Sequence, residues 1–231
     1  MENAQQESVF APGIRSVKHG CAPMLLIQFL VGLTVLLYFV NPGFKSWMDG
    51  VAEWKNGLGL LFPFASGFIA GGILPEIAKF VLGRVKVFDR KWLADTAYTG
   101  FFYGVITLMV FGLYTFLDRW LGPTTNWLVL GEKVVFDQLV FSPLISMPVG
   151  VAAFGFRDAG YKSSYWKDFF TWKFYRGKVA PALVMCWSFW GPVVTAIYIL
   201  PENLQIVVSA GCQAAWSLLF VFLVRSDQVT E

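Results

Sequence analysis

The sequence predicts an all-α fold of the polytopic membrane class, a bundle of about six transmembrane helices, and three observations carry this prediction. Hydrophobic residues make up 56% of the 231 residues. Charged residues make up only 14%, whereas a soluble domain carries about 25%. The chain also holds 23 Phe, 10 Trp and 8 Tyr, and a globule of this size cannot bury so much apolar surface. A net charge of +3 without a basic run excludes disorder and nucleic-acid binding as the main classes.

Six apolar segments reach or approach the roughly 20 residues that a helix needs to cross the ~30 Å hydrocarbon layer. They cover residues 22–40, 57–81, 97–117, 134–156, 180–200 and 206–224. The first ends at the helix breaker Asn41-Pro42-Gly43, and only residues 201–205 separate the last two, which predicts an antiparallel hairpin. We therefore predict a single transmembrane domain over 22–225, between short tails at 1–21 and 226–231.

The basic residues orient these spans. Thirteen of the 18 Lys and Arg residues fall on one side of the alternation, four fall on the other side, and Lys79 lies within a span. Because cytoplasmic connections carry the excess of Lys and Arg, we predict that both termini are cytoplasmic. The two termini share a side only when the number of spans is even, which favours six spans over five or seven.

Tryptophans and one long connection mark the predicted membrane surfaces. Seven of the ten tryptophans lie in or beside connections, as the aromatic belt of a membrane protein requires; they are Trp47, Trp54, Trp92, Trp120, Trp127, Trp166 and Trp172. The connection 157–179 is both basic and aromatic. We interpret it as a helix lying in the headgroup layer, with a binding site as the alternative.

Three formal charges fall inside the predicted spans: Glu76, Lys79 and Asp137. A charge in the hydrocarbon layer costs a few kcal/mol, so we expect each to face the bundle interior, water or a partner. Glu76 and Lys79 are neighbours on one helical face and can pair, either within the bundle or at the interface with Lys79 snorkelling. Asp137, beside Gln138, lies either about one turn inside span four or near its N-cap at the surface.

Span two carries a ridge of prolines and small residues. Pro63, Gly67, Gly71, Pro75 and Lys79 recur every four residues. Gly67-x-x-x-Gly71 is a pattern that lets two helices approach closely. Pro75 removes the helical hydrogen bond to the carbonyl of Gly71. Helix packing and a kinked, pore-lining helix are the two interpretations of this ridge. Gly211, in span six, is predicted to serve helix packing.

The sequence holds no recognisable catalytic or metal-binding constellation. His19 stands alone, and Cys21, Cys186 and Cys212 form no CxxC pair, so a zinc site of the usual spacing is not expected. Catalytic motifs are missing as well. We therefore expect no enzyme activity, no metal and no cofactor. The acidic N-terminal residues fit neither a mitochondrial transit peptide nor a secretory signal.

Several motifs follow one another in a fixed order between residues 60 and 225. Lys133, Asp137-Gln138 and Pro143 form a K-x-x-x-DQ-x-x-x-x-P pattern. Tyr114 precedes Leu117-Asp118-Arg119, and the small-residue run of span two carries Glu76. Further along come Trp166 and Asp168 before Pro181, and then Pro201 before Trp216. In this order and spacing the chain resembles the family of Mpv-seventeen and the twenty-two-kilodalton peroxisomal membrane protein.

The resemblance implies a membrane protein of organelles or of bacteria, and a weakly selective pore for small solutes with a role in metabolite homeostasis. It makes Tyr114, Asp118, Arg119 and Pro143 candidate functional residues. The chain departs from the family by its additional span 22–40 and by a stretch from Trp190 to Pro201 that lacks the family's Gln and Asn. The acidic N-terminal tail favours a bacterial plasma membrane, with a mitochondrial inner or peroxisomal membrane as the alternative.

Three functions from different classes follow from these observations. The first is a channel-like pore, with a water-filled path lined by Glu76, Lys79, Asp137 and Gln138. The second is a scaffold or assembly protein that binds partner helices through its glycine-rich ridges. The third is a lipid-acting membrane enzyme that uses Asp118, Arg119 and Asp137 at one interface. The expected partners are membrane lipids, a small solute and a second copy of the chain in a homo-oligomer, and nucleic acid is not expected.

Overall fold

A computed structural model describes residues 8–84, 87–169 and 171–227, without the side chains of residue 168 and of residues 219–227. Every regular element among these residues is helical, which confirms the all-α prediction. The outer parts of the two predicted tails, residues 1–7 and 228–231, lie outside the described residues.

Ten α-helices follow one another along the described chain. They are α1 (Ala11–Val40), α2 (Pro42–Leu58), α3 (Leu61–Phe68), α4 (Leu74–Val81), α5 (Arg90–Leu121), α6 (Trp127–Phe136), α7 (Met147–Asp158), α8 (Trp172–Phe174), α9 (Ala180–Ile199) and α10 (Glu202–Asp227). Three π-helices join neighbours without a break: Ile69–Ile73 joins α3 to α4, Asp137–Ser146 joins α6 to α7, and Tyr175–Val179 joins α8 to α9. A 3-10 helix covers Ser163–Asp168.

Five continuous helices of the described chain are long and apolar enough to cross a membrane. They are Ala11–Val40, Leu61–Val81, Arg90–Leu121, Trp127–Asp158 and Trp172–Ile199. Each of them overlaps one of the first five predicted spans. α10 follows after Leu200-Pro201, is 26 residues long and contains the predicted sixth span. The long apolar helices therefore fit a multi-pass membrane bundle.

The first part of the chain differs from the prediction in two places. α1 begins at Ala11, so residues 11–21, which the sequence predicts to be part of a tail, belong to the first helix. The sequence predicts a connection up to residue 56, but these residues belong to α2 (Pro42–Leu58), where the Asn41 side chain accepts a hydrogen bond from the N–H of Phe44 (2.9 Å). α2 ends at Leu58, because the next residue, Gly59, has a φ of 53°, which an α-helix does not contain. The second span therefore begins at Leu61 and not at residue 57.

The prediction of one headgroup helix over 157–179 is wrong. α7 ends at Asp158, and Gly160 and Tyr161 then take φ values of 67° and 61°, a left-handed conformation that stops a helix. The chain continues through a 3-10 helix before the fifth span begins at Trp172. The aromatic residues pack on one another instead, since the rings of Phe156 and Trp166 have their centroids 5.2 Å apart.

Each π-helix ends two residues before a proline, namely Pro75, Pro148 or Pro181. In an α-helix the proline ring collides with the carbonyl four residues earlier, and a wider turn relieves this collision. The N–H of Leu74 accordingly bonds the carbonyl of Ile69, five residues earlier. In this register a residue bonds the carbonyl five positions earlier, so Pro75, which has no N–H, leaves the carbonyl of Ala70 free. The sequence predicts the carbonyl of Gly71 instead. The Ser217 hydroxyl of α10 donates to the Ala70 carbonyl at 2.5 Å.

α9 lies at the centre of the hydrophobic core. Its residues Phe189, Ile197 and Tyr198 are completely buried, and they share one apolar cluster with residues of α1, α5, α6 and α10. The outer faces of the bundle are apolar as well, for example on α1, where Leu25 and Phe29 are exposed. This distribution is typical of a bundle whose outer faces contact lipid.

Gly67 and Gly71 bring span two directly against α5. A Cβ at Gly67 would lie 2.2 Å from Thr107 Oγ1, and a Cβ at Gly71 would lie 2.0 Å from the ring of Tyr103. The predicted packing ridge is therefore occupied by a helix of the same chain. Gly211 differs, since it is exposed and a Cβ there would meet nothing within 4 Å. Gly211 therefore makes no close helix contact within the described chain, and its packing role stays a prediction.

Candidate functional site

A cluster of polar side chains lies inside the bundle, where α5, α9 and α10 meet the start of the second π-helix. We call it the polar cluster, and every member is at most 7% exposed: Tyr114, Asp137, Gln138, Tyr198 and Ser209. Two of the four pore candidates predicted from the sequence belong to it. Ionisable and polar groups buried among membrane-spanning helices cost free energy and mark functional sites by default. The polar cluster is therefore the candidate functional site.

The way in which span four begins places Asp137 well inside the bundle. Asn126 caps α6, because its side-chain oxygen accepts from the N–H groups of Leu128 and Val129, each at 3.0 Å. Asp137 follows 11 residues later, which corresponds to about 16 Å along the helix. Of the two positions that the sequence allows for Asp137, the N-cap at the surface is therefore occupied by Asn126. Asp137 takes the other position and is buried inside the bundle.

Both carboxylate oxygens of Asp137 accept hydrogen bonds from neutral donors. The hydroxyl of Tyr198 donates to Oδ2 at 2.8 Å, and Nε2 of Gln138 donates to Oδ1 at 2.9 Å. The other side-chain atom of this amide, Gln138 Oε1, is buried and has no hydrogen-bond partner among the described residues. The cluster thus combines a carboxylate with an unused amide acceptor.

Pro143 acts on the cluster through the backbone of Gln138. In the π-helical register the residue five positions after Gln138 would bond its carbonyl, but this residue is Pro143, which has no N–H. The indole Nε1 of Trp187 in α9 donates to the Gln138 carbonyl instead, at 2.7 Å. The freed carbonyl is thus satisfied by a neighbouring helix. This bond fixes α9 against span four next to Asp137.

Tyr114 closes the cluster on the side of α5. Its ring makes a T-shaped contact with the ring of Tyr198, with 5.2 Å between the centroids, a geometry that aromatic pairs prefer. Its hydroxyl lies 3.4 Å from Oγ of Ser209 in α10, a long hydrogen bond. Tyr114 therefore supports the ring whose hydroxyl bonds Asp137.

A buried ion pair lies one turn before Asp137 on span four. Lys133 is completely buried; its Nζ pairs with Asp118 of α5 and also donates to Thr124 Oγ1 at 3.2 Å. The second carboxylate oxygen of Asp118 is buried without a hydrogen-bond partner among the described residues. The pair joins α5 to α6 across the connection 122–126, and it engages Lys133 with Asp118 rather than with Asp137.

Arg119, the remaining candidate from the family motif, is exposed on α5. Asp118 is engaged by Lys133, and Asp137 is engaged by Tyr198 and Gln138. No contact among the described residues joins the three side chains that the hypothesis of a lipid-acting enzyme requires at one interface.

Glu76 and Lys79 form a second polar site at the opposite end of the bundle. They pair at 2.5 Å, with 16% and 35% of their side chains exposed, and the indole Nε1 of Trp92 donates to Glu76 at 2.8 Å. Trp92 and Tyr114 are 22 residues apart on α5, which corresponds to about 33 Å. The structure therefore divides the four predicted pore candidates into two separate groups. The exposure of Lys79 fits the interfacial interpretation of its pair.

Sequence reasoning missed three residues that complete the site: Trp187, Tyr198 and Ser209. Tyr198 left a signal, because only Thr195 and Tyr198 bring polar groups into the otherwise apolar stretch from Trp190 to Pro201. Trp187 and Ser209 left none, since single indole and hydroxyl groups are common in membrane helices.

The chemistry of the polar cluster is that of hydrogen bonding around one negative charge. It offers a carboxylate, an amide and three hydroxyl groups in an interior that the bundle shields from water. Such groups can hold a cation or a polar solute. Within the part of the chain that the structure describes, no group of three His, Cys, Asp or Glu residues could hold a metal ion.

The long apolar helices together with a buried polar centre fit one class, the multi-pass helical membrane proteins. Comparisons with protein-family models, with curated proteins and with solved structures give no match for this chain. The family resemblance of its sequence motifs stays a prediction.

Proposed function

We propose that this protein is a channel-like membrane protein that passes small polar solutes or ions through the polar cluster and thereby serves solute homeostasis. The observation that carries the proposal is the carboxylate of Asp137, buried with the neutral partners Tyr198 and Gln138. A charge inside the membrane costs about 2.5–3.5 kcal/mol on insertion scales. An Asn at this position would accept the same hydrogen bond from Tyr198 at a lower free-energy cost of burial. The hydrogen bond alone therefore does not explain the charge, and we propose that the charge serves solute passage.

The groups of the cluster suit a cation or a neutral donor better than an anion. Asp137 supplies negative charge, and Gln138 Oε1 supplies an acceptor that no described residue uses. Lys133, one turn away, has its charge balanced by Asp118. We therefore propose that the solute is cationic or carries hydrogen-bond donors. The pair Glu76–Lys79 belongs to the opposite end of the proposed path.

The proposal includes a topology of six spans with α10 as the sixth and both termini cytoplasmic. The excess of Lys and Arg on one side supports this orientation. The polar cluster then belongs to the outer half of the bundle, close to the connection 122–126. The proposed location is a bacterial plasma membrane, with an organelle membrane as the alternative. The meeting of the motif residues Tyr114, Asp137 and Gln138 in one cluster supports the family resemblance.

Solute flux in proteoliposomes tests the pore. Purified protein is reconstituted, and the efflux of K⁺ and of a neutral polyol is followed separately. Asp137→Asn keeps the size of the side chain and an acceptor for Tyr198, and we expect cation efflux to fall about tenfold, the effect of losing one charge-assisted contact. Asp158→Asn removes a 65% exposed carboxylate at the end of α7 and is the matched control. A folded wild-type protein that passes neither solute would contradict the pore.

A scaffold function is the second candidate, and one observation favours it. Gly211 lies on a face of α10 that no described part of the chain covers within 4 Å, and small residues on such faces allow close helix–helix contact in membranes. Gly211→Leu would then abolish chemical crosslinks between copies or to a partner, while solute flux is absent. Gly112→Leu, at a site on α5 that is equally open, is the control.

A further inference from the structure

Helix α2 divides its surface into three stripes, and only one of them faces the bundle. The buried stripe consists of Met48, Ala52 and Lys55, and its apolar members pack in a cluster with α1 and the start of α10. About 100° around the helix in one direction lies an apolar stripe with Trp47, Val51 and Trp54. About 100° in the other direction lies a charged stripe with Lys45, Asp49 and Glu53. α2 thus has an apolar and a charged free face on opposite sides.

The apolar free face contains a notch between two indole rings. Trp47 and Trp54 are 61% and 62% exposed, and with Gly50 between them they line a shallow, open hollow of about 340 Å³. The ring of Trp54 makes a T-shaped contact with Phe62 at 5.9 Å, on the first turn of a spanning helix. Leu61 beside it is exposed. The notch is therefore continuous with the apolar outer surface of span two.

A second hollow, of about 450 Å³, adjoins the notch on the charged face and shares Ser46 and Gly50 with it. Lys45 pairs with Asp49 at 2.6 Å, and the hydroxyl of Tyr38 also donates to Asp49 at 3.0 Å. These contacts balance the charges of Lys45 and Asp49. Glu53 lines the same hollow, is exposed, and has no ion-pair partner among the described residues. The hollow therefore carries one uncompensated negative charge.

We propose that α2 lies in the headgroup layer and that its two hollows together hold one phospholipid whose headgroup carries an amine cation. An acyl chain lies in the notch between Trp47 and Trp54, and the amine lies beside Glu53. A helix with an apolar and a charged face on opposite sides is suited to the membrane surface, and Trp is enriched there. The buried stripe holds α2 in place, since Lys55 Nζ donates to the carbonyl of Asn203 at 3.0 Å.

This lipid site is independent of the proposed pore, because α2 contributes no residue to the polar cluster. Mass spectrometry of the intact protein from nanodiscs with equal amounts of phosphatidylethanolamine and phosphatidylglycerol tests it. The wild-type chain is expected to retain phosphatidylethanolamine in preference. Gly50→Leu fills the notch and is expected to remove the retained lipid, whereas Gly57→Leu on the same helix is not. A Cβ would meet nothing within 4 Å at either glycine, so neither substitution is expected to disturb the packing of α2.

The charge of Glu53 and the position of α2 give two further readouts. Glu53→Gln is expected to keep lipid in the notch but to lower the preference for phosphatidylethanolamine about two- to fivefold, the range of an exposed ion pair. Spin labels are placed at Val51→Cys or Glu53→Cys in a chain whose exposed Cys21 is replaced by Ser. The label at position 51 is expected to contact oxygen dissolved in lipid. The label at position 53 is expected to contact a nickel chelate dissolved in water. Equal lipid retention in the wild type and Gly50→Leu would overturn the proposal. The proposal would also be overturned if the spin label at position 51 lay close to the same label on a second copy of the chain, because a protein contact would then cover the notch.

Discussion

The indole N–H of Trp187 donates to the backbone carbonyl of Gln138 at 2.7 Å, the carbonyl that Pro143 leaves without a helical donor. The same relationship recurs at three other prolines, each time with a donor from a different helix of the bundle. Before Pro75, the Ser217 hydroxyl donates to the carbonyl of Ala70 at 2.5 Å. Before Pro148, the Tyr175 hydroxyl donates to the carbonyl of Pro143 at 3.2 Å. Before Pro192, the Gln28 side-chain amide donates to the carbonyl of Ser188 at 2.7 Å. Prolines inside the spans thus create the acceptors through which the bundle is crosslinked.

A double-mutant cycle on Trp187 and Pro143 tests this coupling. Trp187→Phe leaves the Gln138 carbonyl buried without a side-chain donor, and we expect the free energy of unfolding to fall by about 1–3 kcal/mol. In a Pro143→Ala background the new backbone N–H can bond this carbonyl, so the same change is expected to cost at least ~0.5 kcal/mol less. Unfolding in SDS titrations measures all four variants. Trp127→Phe, at an 82% exposed indole, is the control, and additive losses would contradict the coupling.

The sequence predicts the spans and their prolines, but not the donors that satisfy the freed carbonyls. Composition and run length place apolar helices, because crossing a membrane sets their length. The hydrogen bond between Tyr198 and Asp137 joins residues 61 positions apart, so it depends on the axial offset at which α9 packs against span four. No local pattern encodes this register. α2 is not predicted from the sequence for another reason. It is shorter than a membrane span, and its apolar residues are divided between the buried stripe and a free face.

The two ridge glycines are expected to tolerate no side chain. Gly67→Ala would drive a Cβ against Thr107, and Gly71→Ala would drive one against the stem of the Tyr103 ring. Each is expected to destabilise the bundle by about 1–3 kcal/mol, because both neighbours belong to a packed helix. Gly112→Ala on α5 meets nothing within 4 Å and is expected to be neutral or to stabilise by up to about 1 kcal/mol. Thermal unfolding in one detergent compares the three; equal midpoints would refute the close contact.

The buried pair of Lys133 and Asp118 is expected to behave as a unit. Lys133→Met leaves the carboxylate of Asp118 buried without its cation, and we expect a loss of about 3–5 kcal/mol in the free energy of unfolding. The double variant Lys133→Met with Asp118→Leu removes both charges and is expected to recover most of this loss. Lys91→Met breaks an ion pair whose lysine is 78% exposed and should change little. If the double variant is as unstable as Lys133→Met alone, the unpaired carboxylate is not the cause.

Tyr161 gives the structure a pH-dependent contact at the end of span four. Its hydroxyl donates to Oδ1 of Asp95 at 2.6 Å, and burial together with this hydrogen bond raises the pKa of Tyr161 to about 12. In the unfolded chain the phenol ionises near its ordinary pKa of about 10. Between these pH values the folded state holds the proton and the unfolded state has lost it. The contribution of Tyr161 to stability is therefore complete below about pH 10 and decreases as the pH rises toward 12. Titration of the absorbance at 295 nm, taken as the wild type minus Tyr161→Phe, is expected to give a midpoint of about 12. A midpoint near 10 would show that the Tyr161 phenol is neither buried nor hydrogen-bonded to Asp95.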